Sequence, residues 1–208
     1  PGMVYEDAAH ALIDTIFAAN ETVTLVAIGP MTNIAAALEQ APDIAHRARV
    51  VAMAGSVEVG YGGRDTPDAE WNVRRDVAAA RRVFAAPWSI TLAPLDLCGT
   101  LRLNGARYAA VAQSDAPAAR AVMANYAAWS RRGQFPQDAS SVLFDCAAIY
   151  LAQQEALVEI ETMPLAITED GYTRRDPDHG RPVRVGLRWT DRDAIEQRIV
   201  ERLTRPRD

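Results

Sequence analysis

In the segment DAEWNVRRD an acid and a carboxamide, Glu70 and Asn72, flank the indole of Trp71. Residues two apart in an extended segment point the same way, so the pair reads as a two-pronged polar clamp. It follows a glycine-rich stretch, GYGGRDTP, and precedes an alanine-rich run, DVAAARRVFAA, that reads as a helix with Asp76 as its N-cap. Asp65 and Asp68 read as solvated loop acids. A second candidate is Asp145, set in the apolar helical run VLFDCAAIYL. A carboxylate buried there must be ion-paired, protonated or bound to a metal, because burying it bare costs several kcal/mol. A third is IGPMTNIAAAL, where a strand ends near Ile28 and a Gly-Pro turn leaves Thr32 or Asn33 to cap a helix.

The elements that must carry these residues follow from periodicity. Residues 6–19 place Ala8, Ala9, Leu12, Ile13, Ile16 and Phe17 at the three-four spacing of an amphipathic helix. The apolar runs TVTLVAI from Thr22, ARVVAM from Ala48 and WSITLAP from Trp88 read as strands, the first of them buried on both faces. They alternate with helical segments that begin near Thr32 and Asp76. This order predicts right-handed βαβ units and hence an α/β, Rossmann-like, mostly parallel sheet with flanking helices. Ligands gather at the carboxyl ends of such strands, which is where Ile28, Met53 and the loop bearing Glu70 and Asn72 fall. Beyond Pro94 three helices are predicted within LNGARYAAVAQ, APAARAVMANYAAWSRR and ASSVLFDCAAIYLAQQ. Two strands around a polar loop then form a small β-hairpin, and a closing helix is capped by Thr190 or Asp191.

Composition narrows the chemistry. At 208 residues, 49% hydrophobic and 24% charged, the chain reads as one soluble domain with a well-buried core. No apolar run nears the ~20 residues that a membrane span requires. The net charge is -5 and the arginines are spread among acids, which argues against a nucleic-acid partner. There is no lysine: all 22 basic residues are arginine, which excludes a Walker A lysine, a Schiff-base lysine and a lysine general base. Cys98 and Cys146 offer neither a disulfide framework nor a metal spacing, and read as small buried hydrophobes in a reducing, cytoplasmic setting. His10, His46 and His179 have no motif around them and read as solvated or core histidines.

The segments GPMTNIAAAL, MAG at a strand end, AEWN and LFDCAAIY, in this order over nearly the whole chain, resemble the inosine-uridine preferring nucleoside hydrolase family. The resemblance implies hydrolysis of the N-glycosidic bond of ribonucleosides, with a calcium ion at the carboxyl ends of a parallel sheet. Calcium takes six to eight oxygen ligands, which suits a ribose diol. The resemblance puts Asp145 at a calcium carboxylate and the Ile28 backbone carbonyl at a carbonyl ligand. It puts Glu70 and Asn72 on the ribose hydroxyls, and Met53 at an apolar contact to the sugar. Groups that fix the sugar and gather negative charge beside it favour the oxocarbenium-like transition state over the ground state.

The sequence also departs from the family pattern. The acidic signature DTDxGxDD, to which the resemblance assigns most calcium carboxylates and the water-activating aspartate, is absent. Residues 1–208 therefore read as one partial, N-terminally truncated nucleoside hydrolase-like domain. Phe144 stands where many members carry a base-protonating histidine, leaving the base to stack on Trp71, Tyr61, Trp129 or Phe135. Gly63-Arg64 stands where a Gly-Asn is usual. A sheet so truncated exposes an apolar edge, which predicts a homo-oligomer that covers it. The alternative expectation is a catalytically silent homologue acting as a sugar-binding or assembly module.

Overall fold

Three short apolar runs, Val23–Ala27 (β1), Ala48–Ala52 (β2) and Ile90–Leu92 (β3), pair in parallel in a computed structural model that describes residues 4–130 and 138–206. Side chains alternate across a strand, and β2 uses both sides. Val50 and Ala52 join one apolar cluster, while Val51 and the following Met53 join another on the opposite face. Helices Ala8–Ala18 (α1), Thr32–Gln40 (α2) and Val77–Ala85 (α4) contribute to the first cluster. Short Leu95–Cys98 (α5) and the later Phe144–Gln153 (α8) contribute to the second. Burial on both faces is what makes β2 and β3 read as continuous apolar runs.

Strand β1 behaves differently from the sequence expectation. It is the sheet edge; Leu25 and Ala27 enter the core, but Val26 is 40% exposed and Ile28, just past the strand, is 47% exposed. Helix α8 packs on β1 as well as β2, yet it leaves this outer part of β1 uncovered.

The C-terminal part also departs from the reading as a small β-hairpin. Among the described residues it supplies three strands, Val158–Ile167 (β4), Thr173–Arg175 (β5) and Arg181–Trp189 (β6), and all join the one sheet in the order β1-β2-β3-β6-β4-β5. β6 lies parallel to β3 and antiparallel to β4, so the sheet is mixed. Val183 and Val185 of β6 share a cluster with Met163 and Leu165 of β4, and this burial sets the pairing. Helices Gly105–Ala112 (α6), Pro117–Ser130 (α7) and Arg192–Thr204 (α9) pack together around Val111, Ala119 and Val200. Asp191 caps α9 by accepting the Ala194 N–H at 2.9 Å. Helix α8 starts later than the sequence suggests. Residues 139–143 precede it outside any helix, with the Ser140 and Leu143 N–H groups donating to the Leu103 and Leu101 carbonyls.

Asp76 caps α4 as expected, accepting the Ala79 N–H at 3.0 Å. Neither Thr32 nor Asn33 caps α2: the cap position is Met31, which makes no side-chain bond. The Thr32 hydroxyl instead donates to the Asp76 carboxylate at 2.6 Å, tying the starts of α2 and α4 together beside the segment that carries Glu70 and Asn72.

Candidate functional site

A cavity of about 740 Å³ opens at the carboxyl ends of β1 and β2. Five separate stretches of chain line it. Ile28 and Met53 are the first residues beyond β1 and β2; Tyr61 comes from the glycine-rich loop; Glu70, Trp71 and Asn72 come from the start of Trp71–Arg75 (α3); Phe144 and Asp145 open α8. Seven of the nine site residues singled out in the sequence thus meet in one place. Trp129 does not: it lies on α7 against Tyr126, with ring centroids 5.7 Å apart, and lines a different cavity. Phe135 falls outside the described residues.

The Glu70–Asn72 pair is not an extended clamp. Glu70 is the N-cap of α3, and its carboxylate accepts from the N–H groups of Asn72 and Val73, at 2.9 and 3.3 Å. It also accepts from the Gly55 N–H at 3.1 Å and the Tyr61 hydroxyl at 3.4 Å. A carboxylate has about four lone-pair sites, so these four donors fill it. Glu70 is only 2% exposed, and burial pushes its carboxyl above the ordinary range while the hydrogen bonds pull the other way. Asn72, also buried, donates through Nδ2 to the Met53 carbonyl at 2.9 Å and to its Sδ at 3.1 Å. Its amide oxygen accepts no hydrogen bond from the described residues, which leaves an acceptor at the cavity wall.

Aromatic rings form much of the remaining wall. Tyr61 and Phe144 meet edge to face at 6.3 Å. The Tyr61 hydroxyl accepts the Trp71 N–H at 2.9 Å, and burial is the main reason that the phenol is pushed up to about 12. Trp71 is 59% exposed at the rim rather than packed away, with the Arg75 guanidinium 5.2 Å from its ring centre.

The loop that carries Tyr61 is tied down by carboxylates. Asp68, read from sequence as a solvated acid, accepts the Tyr61 N–H at 2.8 Å and pairs with Arg64, contacts that hold its carboxyl low. Arg64 is thereby engaged outside the cavity wall. Asp96, which the motif reading passed over, is buried and accepts three backbone N–H groups, from Val57, Glu58 and Val59. Its signal was an acid within the apolar run LAPLDLC, the same signal that singled out Asp145.

Asp145 is not buried in its helix; it is an exposed residue in the first turn of α8, where the helix dipole favours a carboxylate. Partial desolvation at the cavity still raises its carboxyl. No hydrogen bond or ion pair to it comes from the described residues. Calcium takes six to eight oxygens, several of them carboxylate. The described residues contain no group of three or more His, Cys, Asp or Glu placed to hold a metal, and the Glu70 oxygens are already filled. These residues by themselves do not fit a calcium ion. His10 and His179 pair with Asp7 and Asp176, His46 is exposed, and none of the three lines the cavity. Cys98 is buried, Cys146 is half-buried on the cavity wall, and both thiols are free.

Residues 3–197 match the family model described as inosine-uridine preferring nucleoside hydrolase. The chain belongs to this family. Among nucleoside hydrolase relatives, the non-specific ribonucleoside hydrolase RihC of Escherichia fergusonii is 44% identical over 93 residues, 44% of this chain and 30% of that protein. An uncharacterised protein of Schizosaccharomyces pombe is 41% identical over 111 residues, 50% of this chain and 34% of that one. The matched segments span about a third of the length of these curated relatives. Among solved nucleoside hydrolases, the plant enzyme PpNRh1 superposes with a TM-score of 0.82 at 24% identity, covering 99% of this chain and 70% of that one. The purine-preferring ribonucleoside hydrolase of Gardnerella vaginalis gives a TM-score of 0.78 at 21% identity, covering 98% and 67%. At those identities the likeness carries the mixed α/β fold.

Proposed function

We propose that this chain forms the ribonucleoside-binding walls of an N-ribosyl hydrolase, with the sugar against Glu70, Asn72 and Met53 and the base against the aromatic side made by Tyr61, Trp71 and Phe144. The observation that carries the reading is the convergence of these residues, from separate stretches, on one cavity at the carboxyl ends of parallel strands in a chain of this family. In this proposal the Asn72 amide oxygen accepts from a ribose hydroxyl. Glu70, fixed by its four donors, sets negative charge beside the sugar, where positive charge develops as the glycosidic bond breaks.

Asp145 and the Ile28 carbonyl are proposed as what this chain offers to a calcium ion. The donor set found in the described residues is too small for the ion, so the proposal assigns water activation to carboxylates beyond that set. The same observation favours a second reading, a silent homologue that binds the sugar without cleaving it. A cytoplasmic setting belongs to the proposal too, supported by two unpaired thiols. Among the described residues no helix is long and apolar enough to cross a membrane.

The test is calorimetry with calcium and with a ribonucleoside, alongside a reducing-sugar assay, on this chain. The expected result is ribonucleoside binding without sugar release, with the affinity lowered about tenfold in Asn72→Ala, the loss of roughly one hydrogen bond. Absence of ribonucleoside binding would overturn the proposal. Sugar release by this chain alone would overturn the assignment of water activation to other carboxylates.

A further inference from the structure

The buried carboxylate of Asp96 lies outside the cavity wall, yet it sits under the loop that builds it. Asp96 is the second residue of the short helix α5 after β3 and is 7% exposed. Its Oδ1 accepts from the Glu58 N–H at 2.7 Å and the Val59 N–H at 3.2 Å, and its Oδ2 accepts from the Val57 N–H at 2.9 Å. Three consecutive backbone donors converge on one side chain 37 to 39 residues away in sequence. Such a contact fixes both the position and the twist of a loop that has no strand or helix of its own to do so. Ser56 strengthens the hold, donating to the Val59 carbonyl at 2.7 Å and accepting from the Asp68 N–H at 2.9 Å.

The two ends of this loop are functional in the reading above. Gly55, two residues before the first donor, gives its N–H to Glu70 Oε2. Tyr61, two residues after the last, supplies the aromatic wall against Phe144. Gly55 has a positive φ of 82°, and a side chain there would meet Thr173 at 2.6 Å, so the position requires glycine. A shift of the 57–59 loop would therefore be passed to the Glu70 carboxylate through Gly55 and to the cavity wall through Tyr61.

We propose that Asp96 is a positioning residue that holds Glu70 and the Tyr61 wall in place through the backbone of residues 57–59. The proposal rests on the ribonucleoside reading for its functional consequence but not for its structural one, and the experiment separates the two. Amide hydrogen exchange is measured on the wild-type chain and on Asp96→Asn, which keeps the size of the side chain and turns one acceptor into a donor. Exchange at Val57, Glu58 and Val59 is expected to rise more than about tenfold, and exchange at Gly55, which Asp96 does not touch, is expected to rise with it, while amides of β2 and β3 stay protected. Unchanged exchange at Gly55 would overturn the proposal. Should Asp96→Asn not fold, Asp96→Glu keeps the charge and displaces the acceptor, and the same amides decide.

Ribonucleoside affinity, read by calorimetry, gives the second arm. Asp96→Asn is expected to weaken binding about tenfold, the scale of outer positioning groups. Combined with Glu70→Gln it should weaken binding by less than the sum of the two single losses, because the part that passes through Glu70 is already gone. Fully additive losses would show that Asp96 acts elsewhere and would overturn the proposal. Absence of binding by the wild type would remove the functional reading alone, and the exchange at Gly55 would still decide whether Asp96 holds the loop.

Discussion

At the scale of single residues, the site is crowded before any ligand arrives. The four donors to Glu70 fill its acceptor sites, and the bond from Tyr61, at 3.4 Å, is the longest of them. A sugar hydroxyl that reaches Glu70 takes the place of that phenol, whereas the three backbone donors stay. Tyr61→Phe is therefore predicted to bind a ribonucleoside at least as tightly as the wild type in a calorimetric titration. A tenfold loss would instead assign the phenol to holding the sugar. That Glu70, Asn72, Met53 and Asp145 meet at one place was legible in the sequence because an ordered set of short motifs surrounds them. Their geometry was not. An acid just before WNVRR is also a helix start, and capping α3 wins over the extended arrangement because it satisfies otherwise orphaned N–H groups. Asp96 shows in the sequence only as an acid in an apolar run, and since its partners are three backbone groups no second side chain marks its role.

At the scale of elements, the site depends on where helices begin. Asp76 serves two at once, capping α4 and receiving the Thr32 hydroxyl from α2. Those bonds, the one from Thr32 first, hold its carboxyl below the ordinary value of 3.8. A carboxyl depressed in the folded state stabilises the fold fully above its unfolded value, and that stabilisation is lost as pH falls through the folded value. Asp76→Ala is accordingly predicted to cost about 1 kcal/mol in urea unfolding near neutral pH, with the difference from wild type shrinking as the carboxyl is protonated. An equal difference at all pH values would rule out the ionised cap. Strands β2 and β3 were legible because burial on both faces leaves uninterrupted apolar runs. β4 was only partly so, since it carries Glu159 and Glu161 on exposed positions, and its pairing with β6 is a long-range contact that no local period reports.

At the scale of the whole molecule, the sheet is protected unevenly. β5 ends it on one side with two exposed arginines, Arg174 and Arg175, the usual way to blunt an edge. β1 ends it on the other with no charged residue from Val23 to Ala27, and with Val26 and Ile28 uncovered. An edge of this kind invites pairing, so the wild-type chain is predicted to self-associate in light scattering and Val26→Arg to shift it towards the monomer. A monodisperse wild-type monomer would contradict this. The same edge borders the cavity, since Ile28 follows β1 directly and lines the cavity, so cover over β1 and access to the cavity are coupled. In the proposed function the cavity recognises a ribonucleoside by its sugar hydroxyls. Calorimetric titration of this chain with a ribonucleoside and with its 2′-deoxy counterpart tests it most directly. Binding of the ribonucleoside at least about tenfold tighter than the deoxy form is the predicted result, since a site built to hydrogen-bond a hydroxyl rejects the analogue that lacks it. Equal affinity for the two, or no binding of either, would contradict it.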